Sequence, residues 1–502
     1  MNIKQAKEEI KNTVLAYLKK DADGEYQIPS IRQRPILLMG PPGIGKTQIM
    51  EQIARECKIG LVSYTITHHT RQSAVGLPFI KEEQFDGKTY SVTEYTMSEI
   101  IASVYRKQKE TGLNEGILFI DEINCVSETL APTMLQFLQC KMFGNQAVPK
   151  GWIIVAAGNP PEYNKSVRDF DMVTLDRLRR LDIEADFSVW KEYARKQHLN
   201  AAILSYLELR PNNFYKVEAD VDGLQFVTAR GWEDLSNLMD VYEELQIPVG
   251  EEIVHEFLRH EDVAEDVAAY FDLYKKYQDD YGIPEILAGN VKPQVYARIE
   301  AAAFDERFSV VSLLLDGLSE CFHAYAKEAN LTDSWFAFLK QYRAALKDAE
   351  QDRKASKYNE IYKTFLKAEE EHYEQEKKAD LLTKEQIHEK EAFLSLLKKG
   401  TPASGLDAKE SFTYAKEGFD AQKEKLAAAE EKAAFALEHA LDFMENAFGD
   451  SQEMVMFVTE LTIGAETAKY LAEHTCERYL KYKEELLVGT KKAQLLSELA
   501  RD

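Results

Sequence analysis

The chain has 502 residues, enough for about three units at roughly 150 residues per domain. Hydrophobic residues make up 45%, which is normal for large cores, and the formal net charge is −23. Such acidity argues against nucleic acid as the main partner, because phosphate contacts call for a basic face. No apolar run approaches the roughly 20 residues of a membrane helix. The start, Met1-Asn2-Ile3-Lys4-Gln5, lacks the apolar stretch of a signal peptide. A soluble cytoplasmic protein with no membrane span is expected. Cys57, Cys125, Cys140, Cys321 and Cys476 are scattered, share no C-x-x-C spacing, and read as reduced thiols.

In chain order, residues 1 to about 20 predict a helix with Ile10, Val14, Leu15 and Leu18 on one face. From Pro35 to about 190, short apolar runs alternate with amphipathic stretches. The runs are Ile36–Met39, Leu61–Ile66, Ile117–Ile120, Trp152–Ala156 and Leu181–Ile183. Four of them are continuous enough for strands buried on both faces of a parallel sheet covered by helices. The alternation predicts a doubly wound α/β domain.

Residues 191–275 turn helical and compact, and after Pro293 only Pro402 remains. Apolar stripes at Tyr358, Ile361, Tyr362, Phe365 and Leu366, and at Leu437, Leu441, Met444 and Phe448, predict helical hairpins or short coiled coils. Gly400–Gly405 is the clearest turn. The expected organisation is an N-terminal helix and lead-in over 1–34, a P-loop α/β domain over 35–190, a helical domain over 191–275 and an all-α region over 276–502.

Five elements in the first half carry chemistry. Gly40-Pro41-Pro42-Gly43-Ile44-Gly45-Lys46-Thr47 matches the Walker A pattern, between a strand and a helix that opens with Gln48. Its glycines let the backbone curl so that N–H groups face phosphate oxygens, and the helix N-terminus adds partial positive charge. Lys46 would meet the β- and γ-phosphates of ATP, and the Thr47 hydroxyl would be a ligand for Mg²⁺. Second, Ile117–Ile120 runs into Asp121-Glu122, the Walker B pattern. Alone, that pair reads as a solvated strand end. Downstream of a P-loop, Asp121 would help hold Mg²⁺ and Glu122 would serve as general base toward water. Asn124, just beyond, could orient water or cap the following helix, and the cap is the favoured reading.

Third, Ala156-Ala157-Gly158-Asn159-Pro160 closes another buried strand. Asn-Pro often opens a turn, but here Asn159 could reach the γ-phosphate and position water. Fourth, Leu175–Leu181 carries Arg177 and, as second choice, Arg180. An arginine offered to a neighbour's γ-phosphate stabilises transition-state charge. Fifth, Val227-Thr228-Ala229-Arg230-Gly231-Trp232 opens a helix from which Arg230 could reach the phosphates.

With these elements in order, residues 30 to 275 resemble an AAA+ ATPase. Phe119–Asn124, Gly158-Asn159-Pro160, Asp176-Arg177 and Thr228-Ala229-Arg230, together with Thr70-Arg71-Gln72-Ser73-Ala74-Val75-Gly76-Leu77-Pro78, are similar to the MoxR branch. The resemblance implies ATP hydrolysis and a homo-oligomeric ring, usually hexameric, with Arg177 acting on a neighbour's site. It also implies that residues 191–275 form a lid, and it implies chaperone-like remodelling, often of a partner with a von Willebrand factor A domain. Two departures stand out: Leu178 follows Asp176-Arg177 where the branch more often has phenylalanine, and the long helical C-terminal part is not a standard feature of the branch. Alternatives are a nucleic-acid motor or loader, which the acidity opposes, and a slow nucleotide-gated scaffold. His68-His69 reads as a pair of polar loop residues.

Overall fold

The structure is a computed structural model, and it describes all residues except 69, 144, 164–166, 168–169, 221–222, 352–357 and 486–502. Part of the His68-His69 pair therefore lies outside the described residues. The chain divides into two compact units. The first is Met1–Val189 with Thr228–Arg230 and His372–Ile387; the second is Trp190–Val227, Gly231–Glu371 and His388–Asp502. No described helix is long and apolar enough to cross a membrane.

The first unit opens with α1 (Ile3–Leu18). Asn2 and Gln5 form a reciprocal capping box at its start, satisfying two otherwise orphan N–H groups. Ala6, Ile10, Thr13, Val14 and Tyr17 form its buried face. Leu15, expected on that face, is instead 55% exposed, because the stripe advances by fours and threes through Ile10, Val14 and Tyr17 and leaves Leu15 about 100° round the helix. Arg179 holds α1 to the sheet through Glu9 and Thr13.

Then follow β1 (Ile36–Met39), α2 (Lys46–Cys57), β2 (Gly60–Thr65), α3 (Arg71–Val75), β3 (Pro78–Phe85), β4 (Lys88–Tyr95), α4 (Glu99–Thr111), β5 (Gly116–Asp121), α5 (Ala131–Cys140), β6 (Met142–Phe143), β7 (Gln146–Ala147), β8 (Trp152–Gly158), α6 (Met172–Leu175) and β9 (Arg179–Asp182). The central sheet has the order β2-β5-β8-β1-β9, with every pairing parallel. Beta-strands β1, β5 and β8 are buried almost throughout, as strands covered by helices on both faces must be. Strands β2 and β9 form the edges and alternate in exposure. Leu61–Thr65 within β2 is thus buried at alternate residues, as an edge strand with one open face is. β1 lies between β8 and β9, so the chain's path through the sheet reverses there. The crevice beyond the carboxyl ends of strands at such a switch point is where ligands bind in open α/β sheets.

The pairs β3–β4 and β6–β7 are antiparallel hairpins apart from the central sheet. The first turns through Asp86 and Gly87, both at positive φ, which matches the twist that two-residue hairpin loops require.

The second unit begins within α7 (Phe187–Lys196) and continues through α8 (Ala201–Leu209), a hairpin of β10 (Lys216–Asp220) and β11 (Gly223–Val227), α9 (Ala229–Glu244), α10 (Glu251–Phe257) and α11 (Glu261–Tyr281). Trp232 is fully buried and donates to Phe214 O at 3.0 Å. Lys191 and Arg195 meet Glu208 and Glu460 in a network in which both carboxylates are nearly inaccessible. After α12 (Ile283–Leu287) and α13 (Pro293–Ala301) come α14 (Phe304–Gln351), α15 (Tyr358–Lys378), α16 (Lys384–Lys399), α17 (Ala408–Ala415), α18 (Phe419–Phe448), α19 (Gln452–Ile463) and α20 (Ala465–Glu473). The 48-residue α14 is the spine of this largely helical region. Tyr358 and Tyr362 bury against Trp335, Phe338 and Tyr342 of α14, with Ile361, Phe365 and Leu366 at the margin. Leu437, Leu441 and Met444 are buried along α18.

Candidate nucleotide site

The loop between β1 and α2 holds the Walker A residues. Gly43 and Gly45 sit at φ +74° and +89°, the left-handed region that side chains resist. Gly40 is required for a different reason. A Cβ there would stand 2.8 Å from Ile183 O. Pro41 and Ile44 are buried while Pro42, Thr47 and Gln48 are partly accessible, so the loop presents one side to solvent. Gln48 Oε1 lies 3.1 Å from the position a Cβ on Gly45 would take.

Lys46 is 8% exposed. Its Nζ donates to Gly40 O, Pro41 O and Asn159 Oδ1, each at 2.8 Å. Burial pushes its pKa down to about 8 against the pull of Asp121, with Arg230 pushing the same way as burial and Glu122 opposing it. All three ammonium protons are spent on neutral oxygens, which a phosphate would replace with charged ones, the stronger acceptors.

Thr47 Oγ1 donates to Asp121 Oδ2 at 3.1 Å. Walker A and Walker B therefore meet through two oxygens, the hard donor type that Mg²⁺ prefers. Asp121 Oδ1 also accepts from the Glu122 N–H at 2.9 Å. Glu122 has φ +57°, a conformation costing on the order of 1 kcal/mol for a residue with a Cβ. Its carboxylate accepts from Thr67 Oγ1 at 2.8 Å.

Asn159 follows β8, which pairs with β1 as Met39 opposite Gly158. Asn124 is 2% exposed. Its Nδ2 donates to Asn159 O at 2.8 Å and its Oδ1 accepts from Asn159 N at 3.3 Å. The expected helix cap is corrected: α5 starts only at Ala131, too far on for Asn124 to serve its first turn, and the side chain braces Asn159 instead. Gly158 makes room for that brace, since a Cβ there would stand 2.5 Å from Asn124 Oδ1.

Arg230 N donates to Gly43 O at 3.1 Å, and Thr228 packs against Gly43. This brings the fifth motif to the P-loop. Arg177 and Arg180 are placed differently. Arg177 is exposed and donates to Gln139 on α5; Arg180, exposed on the edge strand, pairs with Asp182 at 2.8 Å.

Sequence reasoning missed Thr67 and the true role of Asn124. Thr67 had a readable signal: in the register β2–β5, Thr65 faces Asp121, so the next polar side chain beyond that strand falls opposite Glu122. That inference requires knowing that β2 and β5 are neighbours.

Residues 36–181 match the AAA family, ATPases associated with various cellular activities. No curated protein matches the chain. Among solved structures, a candidate ATPase from Cytophaga hutchinsonii is similar at 16% identity with a TM-score of 0.23, over 36% of this chain and 46% of that one.

Proposed function

We propose that the chain is an ATP hydrolase of MoxR type that uses Mg-ATP to remodel or activate a partner protein in the cytoplasm. The observation that carries the catalytic part is the convergence of three distant segments: Lys46 touches Asn159, Thr47 touches Asp121, and Arg230 touches Gly43. In this reading Gly40–Thr47 and Gln48 cradle the phosphates with backbone N–H groups, and Lys46 neutralises the β- and γ-oxygens. Thr47 and Asp121 hold Mg²⁺, which when bound neutralises charge on the phosphate oxygens. Glu122 accepts the proton of the attacking water. Asn159, fixed by Asn124 on its backbone side, orients that water. Thr67 fixes the Glu122 carboxylate.

Arg230 begins the helix leading into the second unit, so it couples nucleotide state to the lid. Arg177, exposed and bonded to Gln139, is available to the site of a neighbouring subunit, which supports a ring, hexameric by family resemblance. Arg180 is the second candidate for that role. The partner, by the same resemblance, carries a von Willebrand factor A domain, and the helical region beyond residue 275 is where it would dock.

Purified full-length chain should release phosphate from ATP only with Mg²⁺, and Lys46→Ala should reduce both ATP affinity and release by at least about 100-fold. Wild-type turnover in Lys46→Ala would sink the assignment.

A further inference from the structure

We infer that the second unit contains a binding site for one divalent transition-metal ion of the Zn²⁺ class, formed by His198, His323 and Glu466. Each offers one ligand atom, and the three atoms lie within 4.8 Å of one another. They come from segments far apart in sequence: His198 follows α7, His323 lies within α14 and Glu466 is in the first turn of α20. Glu466 Oε1 is 2.9 Å from His323 Nδ1 and 3.7 Å from His198 Nε2. The imidazole rings stand edge to face, with centroids 4.5 Å apart.

Two observations point to a ligand rather than to a plain ion pair. Both histidines converge on the same carboxylate oxygen, and the second oxygen, Glu466 Oε2, is shielded from solvent with no hydrogen-bond partner among the described residues. A carboxylate with one oxygen withdrawn from water and lacking a donor is costly to keep charged, and a cation shared with two imidazoles offsets that charge. Two histidines sharing one carboxylate would also repel one another if both were protonated, whereas both can bind a metal as neutral imidazoles.

The donor set selects the ion. Imidazole nitrogens favour Zn²⁺, Cu²⁺ and Ni²⁺, while Mg²⁺ and Ca²⁺ prefer all-oxygen shells. Bonds of about 2.0–2.2 Å place tetrahedral ligand atoms roughly 3.3 Å apart. Reaching that spacing from the observed one takes side-chain rotation of under about 1 Å per ligand, with the fourth position left to water. Bound there, the ion ties the loop after α7 to α14 and α20 and stabilises the unit by mass action. The site is separate in residues and in metal type from the Thr47–Asp121 position.

The test uses the full chain, stripped with a chelator and titrated with ZnCl₂ alone, without nucleotide. One equivalent should bind, the thermal midpoint should rise, and Co²⁺ should give a visible spectrum without thiolate charge-transfer bands, which separates this site from the five cysteines. His198→Asn is the main variant, because asparagine tolerates the positive φ of 52° at this position and keeps the fold; Glu466→Gln is the second. Each should weaken zinc binding by at least about tenfold while ATP binding stays at the wild-type level. Absence of a zinc equivalent, an equivalent that persists in both variants, or a thiolate-dominated cobalt spectrum would overturn the site.

Discussion

Lys46 is the residue whose physical state decides most about the proposed site. Its pKa is lowered to about 8 mainly by burial, while Asp121 and Glu122 pull it up. Only the protonated form attracts phosphate, and a bound phosphate would hold the proton on. The sign follows: ATP affinity is highest below pH 8 and falls as pH rises through that value, by up to about tenfold per unit. Calorimetric titration at pH 7 and pH 9.5 should give a clearly weaker constant at the higher pH, and equal constants would contradict a buried, phosphate-facing lysine. Thr67 makes a second residue-scale prediction. Thr67→Val removes the hydroxyl that holds Glu122 and leaves the P-loop intact. Turnover should drop by about tenfold through loss of positioning with unchanged ATP affinity, and Thr67→Ser should restore it. A change confined to ATP affinity would contradict the positioning role.

At the scale of elements, the Walker B strand β5 and strand β8 are joined at their tips by Asn124, which holds the backbone of Asn159 from both sides. Gly158→Ala would drive a methyl group into that brace. Overpacking of this kind costs about 1–3 kcal/mol, so thermal denaturation should show a lowered midpoint, and hydrolysis should fall with it. An unchanged midpoint would mean that the brace yields freely.

The three inner strands were legible because burial on both faces writes itself as uninterrupted apolar runs, as in Ile36–Met39. The edge strands, and the hairpin of β10 and β11, were harder. Lys216–Asp220 and Gly223–Val227 are short and alternate polar with apolar residues, so no continuous apolar run marks them within a region that reads as helical. The hairpin of β3 and β4 carried a signal that went unread, Asp86-Gly87 between two strand-length segments. In the site, motif residues were legible by their spacing. Thr67 and the brace by Asn124 were not, because each depends on which strands lie side by side.

At the scale of the molecule, the proposal of a ring rests on Arg177, whose exposed side chain serves no described phosphate-site residue of its own chain. Arg177→Ala and Lys46→Ala should each be inactive alone. If Arg177 completes a neighbour's site, mixing the two should restore part of the activity, since some interfaces then combine an intact P-loop with an intact arginine. No recovery at any mixing ratio, with mixed oligomers verified by light scattering, would contradict action in trans. The helical second unit, with its long α14 and its buried ionic network around Glu460, is where the work of hydrolysis would be directed.

In the proposed function, Asp121 and Glu122 turn a phosphate-binding loop into a hydrolase, with Glu122 as the base. The most direct test is single-turnover hydrolysis of ATP by Glu122→Gln alongside an ATP-binding titration. ATP affinity should stay within about twofold of wild type while the rate falls by about 10²–10⁴. Hydrolysis at the wild-type rate by Glu122→Gln would contradict that role.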